Sequence, residues 1–308
     1  MLVAAAPRFL VFDPVTKTLI PFRLNGEQVR VLALILENQS RVCIGKGRQV
    51  GISTAVAFLL MWLVLLNPGI SVCIIANDQS NANGVLKKVK GWLRQMGAPM
   101  PPVDNVESLE LTNGSSIVAK TAISHAEQGQ SKAGRSNTYS VIHATEQSFW
   151  RNALTTWTSL TSTMLGGLIV NESTGAPGKG EAETNLFRSI YEGADDGWAR
   201  AFIGVEEHAA YVDDPLLIDD ARWAELQALY GFTSRAHAAW WDGKLATDFK
   251  GNASAMLREF PVTPDHMFTF REGVHVQTWT EAPVVVDGDW NFYELPTLGS
   301  DGINRWGE

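Results

Sequence analysis

Val42-Cys43-Ile44-Gly45-Lys46-Gly47-Arg48-Gln49-Val50-Gly51-Ile52-Ser53-Thr54 passes from a short apolar run, through a glycine turn, into the apolar stretch Ser53 to Leu66. Strand, turn and buried helix in that order make a place for an anion, because successive backbone N–H groups and the helix N-terminus point at one spot. The usual spacing of such a phosphate loop is G-x4-G-K-[ST]. Gly51 and Ser53 fill the second glycine and the magnesium-binding hydroxyl, while Ile52 stands where the lysine belongs. Phosphates still need cations beside them, and this loop carries its own at the start, as Lys46 and Arg48. Two other readings fit the same residues. One is a glycine turn with two solvated charges; the other is a dinucleotide loop, since Gly45-x-Gly47-x-x-x-Gly51 matches a variant of that glycine pattern. A short-chain dehydrogenase would add a Tyr followed four residues later by a Lys. Tyr139, Tyr191, Tyr211, Tyr230 and Tyr293 are instead followed by His143, Asp195, Pro215, Ser234 and Thr297, which weakens that reading.

Outward from the loop, apolar runs alternate with helical patterns. Ile70 to Ala76 reads as a buried strand, and Asn77-Asp78-Gln79-Ser80 offers caps for a helix to about Met96 with Lys87, Lys88, Lys90 and Arg94 on a basic face. Asn113-Gly114 centres a hairpin over Val106 to Lys120. Gly129 to Asn137 is a basic loop, and Tyr139 to Ala144, Leu168 to Val170 and Trp198 to Val205 are further strands. Helices follow over Ala221 to Tyr230 and Ser234 to about Phe249, and from Gly251 an extended connector is expected through Pro261 and Pro264. The rhythm predicts an α/β fold with a mostly parallel central sheet flanked by helices. It divides the chain into a core over 1–210, a helical linker or lid over 211–268 and a C-terminal connector over 269–308.

The 308 residues carry 25 Lys+Arg against 33 Asp+Glu, a formal charge of −8, with 45% hydrophobic and 19% charged residues. That is the composition of a folded chain, and its acidity requires any nucleic-acid contact to come from a local basic patch. Cys43 and Cys73 lie in apolar runs and read as buried thiols in a reducing compartment. The longest apolar run, Ala55 to Leu66, is short of the roughly 20 residues that a membrane span needs, and the N-terminus lacks the pattern of a secretory signal.

Arg48-Gln49-Val50-Gly51-Ile52-Ser53-Thr54 resembles the deviant Walker A motif of the large terminase subunits of tailed bacteriophages, close to R-Q-x-G-x-[ST]-T; these are ATPase motors that package viral DNA. Val141-Ile142-His143-Ala144-Thr145-Glu146-Gln147-Ser148-Phe149-Trp150 is similar to their Walker B segment, an apolar strand leading into a Glu, a small residue and aromatics. Gln28 resembles the adenine-reading Gln of this ATPase class, and an exposed Gln on an N-terminal helix is the alternative there. Glu172-Ser173-Thr174-Gly175 resembles the coupling motif, and Arg258-Glu259-Phe260-Pro261-Val262-Thr263-Pro264 the segment joining ATPase to nuclease, so the resemblance covers about Gln28 to Phe268.

The resemblance implies an ASCE-type P-loop NTPase fold, with ATP and Mg²⁺ as cofactors. The nucleotide would be held by Gln28 and by Lys46, Gly47, Arg48, Gln49, Val50, Gly51, Ile52, Ser53 and Thr54, with Lys46 and Arg48 supplying the charge. Glu146 would activate water, Ser53 and in part Thr145 would hold the metal, and Ser173 and Thr174 would relay hydrolysis to movement. Arg135 would reach a neighbouring subunit's nucleotide as a trans finger, with a solvated Arg or a DNA phosphate contact as the alternatives. Implied partners are double-stranded DNA, met at Lys87, Lys88, Lys90 or Lys132, a portal protein, a small terminase subunit and a homo-oligomeric ring. No membrane is implied, and the place of action is the infected host's cytoplasm at the procapsid portal. The 40 residues after Phe268 are too few for the expected nuclease, so no DNA cleavage by this chain alone is expected; Asp287 and Asp289 are weak metal-ligand candidates. A helicase-like or repair ATPase and a protein with a vestigial nucleotide site remain the rivals.

Overall fold

In the computed structural model the described residues are 2–13, 16–38, 40–98, 102–122, 138–164, 166–176, 186–193 and 197–268, with four two-residue strands beyond. In chain order the elements are α1 (Leu2–Ala5), β1 (Leu10–Asp13), β2 (Thr18–Pro21), α2 (Gly26–Asn38), β3 (Arg41–Lys46), α3 (Ile52–Leu66), β4 (Ser71–Ala76) and α4 (Gln79–Gln95). They continue with β5 (Val103–Asn105), β6 (Ser108–Glu110), β7 (Ser116–Thr121), β8 (Val141–Thr145), α5 (Ala153–Thr161), β9 (Leu168–Ser173), α6 (Leu186–Glu192) and β10 (Ala199–Ile203). Three helices close the series: α7 (Asp220–Tyr230), α8 (Arg235–Thr247) and α9 (Ala253–Glu259).

Eight strands form one sheet in the order β10-β3-β9-β8-β4-β7-β6-β5. From β10 to β7 every pairing is parallel, and β6 and β5 extend the edge antiparallel. Consecutive strands β3 and β4 are therefore separated by β9 and β8, which makes a switch point with a crevice at the carboxyl ends of the strands. This is the mostly parallel, helix-flanked sheet that the sequence rhythm predicts.

Period-two alternation sorts the strand side chains between the two faces. Val42, Ile44, Val72, Ile74 and Val141 pack with α3 and α4 in the large core, while Cys73, Ile75, Ile142 and Ala144 pack with Trp150 and Leu160 on the other side. Helix α3 is buried over nearly its whole length because it is apolar all round. The β1–β2 hairpin region is pinned by an aromatic cluster: Phe22 stacks on Trp92 at 5.6 Å, and Phe9 meets Phe58 edge-on at 5.3 Å. Trp92 also donates its indole N–H to the Leu10 carbonyl at 3.1 Å.

One stretch departs from expectation. Residues 253–259, read as part of an extended connector, form α9, because Asn252 caps the Ala255 N–H at 3.0 Å ahead of a run of good helix formers. Residues Met1–Phe270 form one compact unit, with Leu226, Phe232, Trp241, Met256 and Phe260 buried in the same core as α3. In the second unit, Arg271–Glu308, the described residues are two antiparallel strand pairs, Val286–Asp287 with Trp290–Asn291 and Thr297–Leu298 with Asn304–Arg305.

Candidate functional site

Strands β3, β9 and β8 lie side by side and end together. Register sets Gly45 opposite Ser173 and Thr145 opposite Glu172, so Lys46, Glu146 and Glu172 meet at one end of the sheet. The Lys46 ammonium lies 3.0 Å from Glu146 Oε1 and 3.0 Å from Glu172 Oε2. Glu172 is fully buried, and its other oxygen accepts from Ser53 Oγ at 2.7 Å and Thr145 Oγ1 at 2.5 Å, with His143 Nε2 3.4 Å away. Glu146 retains 25% exposure of its side chain; its Oε2 accepts from Thr174 Oγ1 at 3.0 Å. Its backbone is left-handed at φ 54°, a conformation uncommon for a residue with a side chain and frequent at functional sites.

Electrostatics lock this cluster. Burial works against the Lys46 charge, but Glu172 and Glu146 outweigh it and hold the ammonium well above the usual lysine range. Burial also pushes the Glu172 carboxyl up; Lys46, aided by His143 and Thr145, overcomes that and holds it below the usual carboxylate range.

The loop itself is tied at its start. Gly47 N–H donates to the Ile203 carbonyl at 2.8 Å and Arg48 N–H to the Glu259 carbonyl at 2.9 Å. The expectation that successive loop amides face an anion is thus corrected: these two are engaged by β10 and α9. Arg48 forms a two-pronged ion pair with Glu259, which raises its pKa, and its carbonyl accepts the Tyr211 hydroxyl. Beyond it, Gln49 at φ 63° and Gly51 at φ 76° are left-handed and turn the chain into α3, whose N-terminus carries no side-chain cap. Val50 and Ile52 are buried in the core. Gln28 is buried, and its amide donates to the Val50 and Gly51 carbonyls at 3.4 and 3.1 Å, so it braces the loop from behind.

A cleft of about 400 Å³ opens against this cluster, walled by Arg48, Ser53, Thr145 and Glu146 on one side and by α4 on the other. Lys46, Glu146, Ser53, Thr145, Ser173 and Thr174, expected to act together, are brought together. The lysines of α4 diverge instead of forming one wet face. Lys90 is buried on Asp104 at 2.7 Å and the Ser108 carbonyl at 2.9 Å, Lys87 is exposed, and Lys88 faces the cleft. Lys90 is therefore corrected from a candidate DNA contact to a brace of the β5–β6 hairpin. Arg135, Lys132 and Asp289 lie outside the described residues, as does the side chain of Asp287.

Sequence reasoning did not find the central place of Glu172, nor His143, Tyr211 and Glu259. The signal for Glu172 was a charged residue continuing an apolar strand, a position that a parallel sheet buries on both faces. Among the described residues no group of three or more His, Cys, Asp and Glu is placed to hold a metal, and no helix is long and apolar enough to cross a membrane.

No protein-family model matches the sequence. Among solved structures the chain is similar to the large terminase of bacteriophage HK97, at 15% identity and a TM-score of 0.52, over 84% of this chain and 53% of that one. It is also similar to the large terminase ATPase domain of Thermus phage P74-26, at 14% identity and a TM-score of 0.48, over 78% of this chain and 93% of that one. At such identities the likeness is one of fold. The sheet order and the HK97 match agree: over most of its length this chain shares the fold of that large terminase.

Proposed function

We propose that this chain is the ATP-hydrolysing motor domain of a DNA-packaging large terminase, driving double-stranded DNA into a procapsid. The observation that carries the reading is the meeting of Lys46 and Glu146 at 3.0 Å, beside a cleft that also holds Ser53 and Thr145. The carboxylate at the end of the second strand lines that space and the loop-strand cation is paired behind it, so the group that activates water for phosphoryl transfer is held in place at the cleft.

The triphosphate enters the cleft against the amides that follow Arg48 and the N-terminus of α3. A water oxygen attacks the γ-phosphorus in line, the β–γ bridging bond breaks, and ADP and inorganic phosphate leave. Glu146 accepts the proton of the attacking water, for which its partly exposed carboxylate is suited. Mg²⁺, when bound, would supply charge neutralisation for the triphosphate. The hydroxyls of Ser53 and Thr145 would hold it, and they fit a hard cation that keeps waters and phosphate oxygens, with Glu172 behind both as the carboxylate. Thr174 is hydrogen-bonded to Glu146, so a change at the carboxylate reaches the segment after β9 directly.

In the assembled motor, Arg135 is assigned to the neighbouring subunit's nucleotide within a homo-oligomeric ring at the portal, in the host cytoplasm, with the small terminase subunit delivering DNA. The direct test is turnover. Glu146→Gln should lower ATP hydrolysis about 10²- to 10⁴-fold, the range for a general base, while nucleotide still binds. Equal turnover in wild type and variant overturns the reading. Addition of portal, procapsid and DNA should then yield ATP-dependent protection of DNA from nuclease with wild type and none with the variant.

A further inference from the structure

We propose that Lys88, on α4, binds the γ-phosphate and supplies the charge that the loop lacks at Ile52. The assignment rests on the motor reading of the same cleft. Ile52 is 1% exposed and packs in the core, so the ordinary lysine position of the loop faces away from any ligand. Lys46 is enclosed between two carboxylates with 7% of its side chain exposed and is not among the cleft walls. Arg48 is forked onto Glu259. Lys88 differs from both: among the described residues no carboxylate pairs with it, and its ammonium donates to the Thr54 hydroxyl, on the first turn of α3, at 2.7 Å.

Helix periodicity places it there. Ser80, Asn81, Gly84, Val85 and Lys88 recur at three- and four-residue spacing and form one wall of the cleft, opposite Ser53 and Glu146. Gly84 has nothing within 4 Å of where a Cβ would stand, so the wall is open one turn before the ammonium. The protein around Lys88 and the nearby Lys46 lower its pKa against the pull of Glu172, an imbalance that an incoming anion removes. A site whose second-strand carboxylate is tied to Lys46 needs another cation at the terminal phosphate, and α4 delivers one.

Equilibrium binding of ADP and of a non-hydrolysable ATP analogue to the whole chain tests this. Lys88→Ala should weaken the triphosphate about 10- to 100-fold and ADP by less than about 3-fold, as expected for loss of a hydrogen bond between charged groups. Lys88→Arg should recover most of the loss, and Lys87→Ala, on the exposed neighbour, should leave both affinities unchanged. The ligand-free melting temperature of Lys88→Ala should equal that of wild type. Wild-type affinity for the triphosphate in Lys88→Ala, equal losses for ADP and triphosphate, or the same loss in Lys87→Ala each overturn the assignment of Lys88. If wild type binds no triphosphate, the motor reading itself fails, a result distinct from the other three.

Discussion

Glu172 organises the site at the scale of single residues. One carboxylate oxygen gathers the hydroxyls of Ser53 and Thr145 and the other faces Lys46, so three elements are joined through a group with no access to water. Such an arrangement is stable only while complete, because removal of one charge leaves the other buried and poorly paired. Glu172→Gln should therefore cost about 3–5 kcal/mol of stability by chemical denaturation, at the lower end because Lys46 keeps Glu146. The pH dependence follows from the two shifts. The carboxyl is held below its ordinary value, so its contribution is present above the ordinary carboxylate range and lost as pH falls beneath it. The ammonium is held above its ordinary value, so its contribution is complete below the ordinary lysine range and lost as pH rises through the folded value. Stability measured against pH should show a plateau between those limits, with a shallower acid limb in Glu172→Gln. An acid limb unchanged by that substitution would contradict the account.

At the scale of elements, the decisive join is the turn from β3 into α3. Gly51 is left-handed, and a Cβ there would strike the Gln28 amide, which itself holds the Val50 and Gly51 carbonyls. Gly51→Ala should cost about 1–2 kcal/mol from backbone conformation alone, with the contact against α2 added to it. In a Gln28→Ala background only the backbone part should remain, so a double-mutant cycle on denaturation midpoints separates the two. Full additivity would mean that Gln28 does not brace the loop. The start of the same loop is held by Glu259 and Tyr211, which joins the glycine turn to α9 and to the segment before α7.

At the scale of the whole molecule, α7, α8 and α9 share one core with the sheet and its helices. Trp241 is fully buried, donates to the Phe260 carbonyl at 3.1 Å and packs on Tyr230 and Phe232. Trp241→Ala should cost about 3–5 kcal/mol, the range for loss of a large buried aromatic. Because the unit is continuous, calorimetry should show the main transition moving down as one; a separate early transition with the rest unmoved would mark an independent helical lid.

The sequence by itself determined the parallel sheet and the loop between β3 and α3, and it singled out Lys46 and Glu146, while the ion pair between those two was decided by the tertiary structure. These are local patterns: apolar runs of strand length, a glycine turn before a buried helix, and an acidic residue at a strand end. It did not reveal that Glu172 is the hub, that Arg48 and the Gly47 amide are engaged elsewhere, or that Lys90 and Lys88, two residues apart, serve different places. Each of those depends on which strands lie adjacent and on what a helix faces, properties set by strand order and packing, across 119 residues of chain in the case of Ser53 and Glu172. Only the folded chain decides which charges are left to meet a ligand, because ion pairs form between neighbours in space and not in sequence.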